Sequence, residues 1–82
     1  MLISYDEPKR LSNLDKHGMD FATLTVEFFE TAKVLPVKMG RYLALGRLNG
    51  VPAIAVIFAP LGTEAISVIS MRRASPRERK LL

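Results

Sequence analysis

The sequence predicts an α+β fold: an antiparallel sheet of about four strands plus a short N-terminal strand, with two N-terminal helices and one C-terminal helix. Three observations carry this. Apolar residues recur at helical spacing through the first third of the chain. Two strand-like runs, Arg41 to Leu48 and Val51 to Ala59, flank Asn49-Gly50, a strong hairpin signal. A last apolar strand, Ala65 to Met71, then runs into Ser75-Pro76-Arg77-Glu78, which reads as a helix start.

Leu2-Ile3-Ser4-Tyr5 is a short starting strand. Asp6 reads as an N-cap with Pro8 in the first turn, and Leu11 and Leu14 fall three apart on one face. Gly18 ends this helix after Lys16 and His17, whose positive character suits a helix C-terminus. Asp20 reads as the cap of a second helix on which Phe21, Leu24, Phe28 and Phe29 make one apolar stripe, read as core. Val34-Leu35-Pro36-Val37 suits an edge strand, because Pro36 has no N–H for a ladder. A two-residue turn at Asn49-Gly50 places Leu48 opposite Val51. Counting back pairs Leu45 with Ile54 and Leu43 with Val56, four large residues on the face that covers the helices. Tyr42, Ala44, Gly46, Ala53, Ala55 and Ile57 would make a second face of mostly small residues, with room for something to lie across it. Pro60-Leu61-Gly62 turns the chain into the last strand, and Ser75, Pro76 and Glu78 compose a capping box.

The 82 residues are expected to form one small domain over 1–82. With no cysteine and a single histidine, a thiolate or histidine-rich metal site is excluded, and no cofactor is expected. The absence of cysteine fits a cytoplasmic location. No signal pattern opens the chain, and the run from Val51 to Leu61 is too short to span a bilayer. The net charge of +4 is uneven. Residues up to Gly40 carry five basic and six acidic groups, whereas seven basic and two acidic groups follow. Such asymmetry suits a basic face turned toward a polyanion, or a merely solvated surface.

Four segments in this order resemble the BrnT family, toxins of a bacterial type II toxin–antitoxin system. They are Tyr5-Asp6-Glu7-Pro8-Lys9; Asn13-Leu14-Asp15-Lys16-His17-Gly18 followed by Phe21; Arg41-Tyr42-Leu43-Ala44-Leu45-Gly46; and Ile69-Ser70-Met71-Arg72-Arg73-Ala74-Ser75 with Arg77-Glu78-Arg79. The resemblance implies a RelE-like ribonuclease fold and RNA cleavage that arrests growth. It also implies neutralisation by a BrnA-like ribbon-helix-helix antitoxin, through which alone the protein would meet DNA. Tyr5 stands where the family has Trp, and Leu61 and Ser67 stand where it often has Arg. That departure motivates an alternative, a catalytically weak partner-binding module. A plain nucleic-acid-binding protein is a third reading.

Metal-free RNA cleavage requires deprotonation of the 2′-hydroxyl, stabilisation of the pentacoordinate phosphate and protonation of the 5′-oxygen. Arg72, closing the last strand before a helix N-terminus, is the candidate for the phosphate, with an ion pair to Glu64 or Glu78 as its structural alternative. Arg41 is either a second phosphate contact or a solubilising residue. Glu78 is either a general base or the capping-box acid. His17, the single histidine of the chain, is either an acid–base group or a helix-terminal residue. Arg73, Arg77, Arg79 and Lys80 are read as tracking the RNA backbone.

Overall fold

Helix α1 (Glu7–His17) begins after Asp6, whose backbone is extended but whose side chain makes no cap bond, and carries Pro8 in its first turn. It ends at Gly18, which takes a left-handed φ of 68° and donates its N–H to the Leu14 carbonyl at 2.8 Å. The computed structural model describes residues 1–82. It adds strands β1 (Leu2–Tyr5), β2 (Lys33–Pro36), β3 (Tyr42–Leu48), β4 (Val51–Leu61) and β5 (Ala65–Arg73), and helices α2 (Val26–Thr31) and α3 (Pro76–Arg79). The strands form one sheet in the order β1-β5-β4-β3-β2. Three of its pairings are antiparallel, and β1 lies parallel to β5, so the sheet is mixed. Pro36 sits in an edge strand, where its missing N–H costs no ladder bond. No helix is long and apolar enough to cross a membrane.

The helix expected from Asp20 is divided. Asp20 caps a 3₁₀ turn, Phe21–Thr23, by accepting from the Ala22 N–H, and Thr25 caps α2 by accepting from the Phe28 N–H. Short oxygen-bearing side chains compete with helical backbone bonds, and two of them here restart the chain within five residues. The aromatic stripe survives the break. Phe21, Leu24, Phe28 and Phe29 are all buried against the sheet, with Phe29 edge-on to Phe58 at 5.4 Å. Gly46 permits this packing, since a Cβ there would meet the Phe28 ring at 3.0 Å.

The expected hairpin register fails one step from the turn. Leu48 does oppose Val51, but Gly46 opposes Ile54, so Leu45 meets Ala55 and Leu43 meets Ile57. Pro52 cannot donate to the ladder beside the turn, and the strand accommodates it with an extra residue, Ala53 taking a positive φ of 58°. A one-residue slip moves each side chain to the other face. Ile54 and Val56 therefore join the core beneath the helices, with Ala44, Phe58, Val68 and Met71. Leu43 and Leu45 turn to the opposite face and form a second small core with Ala53, Ala55 and Ala74. That face is therefore not the open, small-residue surface expected from the sequence. The C-terminal segment closes part of it.

The exposed flank of α1 also departs from expectation. Leu11 and Leu14 are 52% and 37% exposed, and the buried residue of the helix is Asn13. Where β1 ends, the outer edge of β5 would be left without a partner, and α1 crosses it there. Asn13 Nδ2 donates to the Met71 carbonyl at 2.9 Å and to the Met19 carbonyl at 3.0 Å, while Oδ1 accepts from the Met71 N–H at 3.0 Å. One side-chain amide thus substitutes for a strand at that point.

Candidate nucleic-acid interface

Strand β5 runs two residues further than the sequence suggests, through Arg72 and Arg73. Arg72 opposes Ala55 and Arg73 opposes Ile54, so strand alternation sends these neighbouring arginines to opposite faces. Arg73 lies on the helix side, lining a groove of about 320 Å³ with Leu14, Met19, Leu48 and Val51. Arg72 lies on the face of Leu43 and Leu45, beside α3.

There Arg72 forms a two-pronged ion pair with Glu78, Nη1 to Oε1 at 2.7 Å and Nη2 to Oε2 at 3.0 Å. Of the two ion partners foreseen for Arg72, Glu78 is the one the fold selects. Glu78 Oε1 also accepts from the Ser75 N–H at 2.8 Å, and Ser75 Oγ accepts from the Glu78 N–H at 3.2 Å, completing the capping box. The N–H groups of Ser75 and Glu78 are thereby occupied within a helix of four residues, so these two backbone donors are not open to a phosphate. Arg72 retains its own donors. Nη1 reaches the Arg73 carbonyl at 3.3 Å as well as Glu78, which leaves Nε–H and one Nη2–H without protein acceptors. Its side chain is 35% exposed, against 16% for Glu78, so the guanidinium is the more accessible member of the pair.

This pairing gives Glu78 a structural task at the end of β5. The Arg72 guanidinium, opposed by partial burial and helped by the Ser75 backbone N–H, holds the Glu78 carboxyl down at about 2. A general base for neutral pH needs a value near the working pH, and this group is far below it. Because the folded value is depressed below the ordinary carboxylate range, its stabilising effect is fully present above about pH 4.3 and is lost as pH falls through 2. Glu78→Gln is therefore expected to flatten the decline of stability between about pH 4.3 and 2, measured by thermal melts. Its cleavage rate at neutral pH should stay within about tenfold of the parent, and a loss of about 10²-fold in a folded variant would show that cleavage needs the carboxylate itself.

Arg41 precedes β3 and continues the alternation of Leu43 and Leu45, so it shares the face of Arg72. It falls opposite Ala59 rather than Ala55, four residues along β4 and two strands across, roughly 16 Å from Arg72 between Cα atoms. The two arginines thus stand apart on one face. His17 lies exposed at the end of α1, in a groove of about 220 Å³ that also holds Lys9, Ser12, Lys16 and Ser70. Arg77, Arg79 and Lys80 lie in and just beyond α3, and none forms a salt bridge. Sequence reasoning did not single out Lys9, Asn13 and Lys16, which line the same groove as His17. Their signal was the polar series Lys9, Ser12, Asn13 and Lys16 at i, i+3, i+4 and i+7, one face of a helix.

The family profile described as the ribonuclease toxin BrnT of a type II toxin–antitoxin system matches residues 5–78. The crystal structure of the Brucella abortus ribonuclease toxin BrnT, at 1.1 Å resolution, is 60% identical to this chain and superposes with a TM-score of 0.86. The match covers 92% of this chain and 97% of the Brucella chain. No curated protein sequence matches.

Proposed function

Because the chain belongs to the BrnT family of ribonuclease toxins of type II toxin–antitoxin systems, we propose that it is a metal-independent endoribonuclease whose cleavage of RNA arrests growth. The 2′-hydroxyl attacks the adjacent phosphorus, the bond to the 5′-oxygen breaks, and a 2′,3′-cyclic phosphate and a 5′-hydroxyl result. The observation that supports this reading is the Arg72 guanidinium, held by Glu78 in a two-pronged pair that leaves two of its N–H donors without a protein acceptor. A donor fixed before the reaction stabilises the pentacoordinate phosphate without having to reorganise.

Arg72 takes the scissile phosphate, and Glu78 positions it. Arg41 meets the strand at a second point on the same face, and Arg77, Arg79 and Lys80 follow the backbone. His17, the single histidine of the chain, supplies acid–base help from the groove beside β5. The partner is a BrnA-like ribbon-helix-helix antitoxin that covers the cationic face, and the setting is the cytoplasm. Cover by a protein of opposite charge excludes RNA sterically and electrostatically.

Induced expression should stop growth, and co-expression of the antitoxin should restore it. The purified protein should cut a synthetic RNA in the presence of a chelator, leaving cyclic-phosphate ends by mass spectrometry. A folded protein that leaves RNA intact with and without divalent ions would refute the ribonuclease reading.

A further inference from the structure

Strand β1 pairs with β5 only from Ala65 to Val68, and the next residue, Ile69, has no partner in register on β4 either. The outer edge of β5 is thus bare at Ile69 and Ser70 until Asn13 takes up Met71. Helix α1 crosses this gap and leaves a groove of about 220 Å³, walled by Lys9, Ser12, Asn13, Lys16 and His17 on one side and by Ile69 and Ser70 on the other. No acidic residue lines it. Elsewhere on α1, Arg10 is matched by Glu7 and Asp20, whereas Lys9, Lys16 and His17 form no salt bridge. The hydroxyl-bearing residues Ser12 and Ser70 line the same space. Uncompensated cations beside hydroxyl donors are the chemistry that binds phosphodiesters.

The groove also connects with the reaction face. Ser70 and Arg72 are two residues apart on one strand, so they share a face about 7 Å apart. Lys9 and Lys16 stand two turns apart on α1, about 10.5 Å along its axis, far enough to meet different phosphates. We infer that this groove binds the backbone of single-stranded RNA, with Lys9 and Lys16 on phosphates flanking the one held by Arg72, the strand passing over Ser70 between them. The inference rests on the ribonuclease reading and assigns substrate-binding residues to it.

The test uses an RNA oligonucleotide fully 2′-O-methylated, which binds but lacks the attacking hydroxyl, followed by fluorescence anisotropy across a series of salt concentrations. Lys9→Gln/Lys16→Gln should reduce the slope of log affinity against log salt by roughly 1.4, about 0.7 for each phosphate of a single strand that is no longer neutralised. A charge-matched control, Lys38→Gln/Arg47→Gln, removes two cations away from the groove and should retain the parent slope. Both lysines of the groove are exposed, and thermal melts should leave the variant unchanged. If the parent neither binds nor cuts RNA, the ribonuclease reading falls and the inference with it. If the parent does both and the groove variant keeps its slope, the groove assignment alone is wrong. A variant that loses affinity for the antitoxin while keeping the RNA slope would give the groove to the protein partner instead, and would also overturn it.

Discussion

Arg72→Ala is expected to slow single-turnover RNA cleavage by roughly 10²–10³-fold and to abolish growth arrest, since removal of one preorganised donor at a developing anionic charge has that effect. The structure adds a cost absent from a free surface arginine. Without the guanidinium, Glu78 keeps only the Ser75 N–H as a partner, at a side-chain exposure of 16%. Loss of a charge-assisted bond of this kind costs about 1–2 kcal/mol, lowering the melting temperature by several degrees. Arg72→Lys separates the two effects. It keeps the charge beside Glu78 but not the planar fork, so it should recover stability more fully than cleavage. Circular dichroism melts and single-turnover assays on both variants measure each component. Undiminished cleavage by a folded Arg72→Ala protein would remove Arg72 from the site.

Asn13→Ala is expected to give the largest loss of stability of any single polar substitution in the chain, about 3 kcal/mol. It leaves the Met71 N–H and carbonyl and the Met19 carbonyl without their partner, and orphaned buried groups cost about 1–3 kcal/mol each. For a chain of this size that corresponds to a melting temperature lower by roughly 12–24 °C. Asn13→Asp preserves an acceptor for the Met71 N–H but supplies no donor to either carbonyl and places a charge in a buried position, so it should not rescue. Urea denaturation of the three proteins tests this. A change within about 0.5 kcal/mol, the range of ordinary surface substitutions, would mean that the β5 edge is satisfied without Asn13. The same side chain sets the position of α1 against β5, so it also positions Lys9, Lys16 and His17 over their groove.

Much of the fold was legible because its signals are local. Gly18 ends α1 with the left-handed geometry that glycine permits, and Asn49 and Gly50 both take positive φ in the hairpin turn. Ser75 and Glu78 close the capping box they spell, and the stripe from Phe21 to Phe29 is buried even though the helix expected to carry it is broken. The candidate site was less legible. A basic strand end could be read, but Arg72 and Arg73 could be assigned to different faces only once β5 was known to continue through both. Glu78 could be read as a capping-box acid, but that it also pairs with Arg72 rather than leaving it to Glu64 emerged only from the fold.

The sequence by itself determined where elements start and stop, which helical stripe is apolar, and the family to which the chain belongs, since caps, turns and periodicities act over a few residues. Only the tertiary structure decided what each face carries. An extra residue beside Pro52 reverses the parity of a whole strand, which sends Ile54 and Val56 under the helices and Leu43 and Leu45 to the other side. It also decided the role of Asn13, whose partner at Met71 is 58 residues away. Whether a buried amide is a fault or a fastening depends on which backbone groups the remainder of the fold leaves unpaired, and no short-range pattern encodes that.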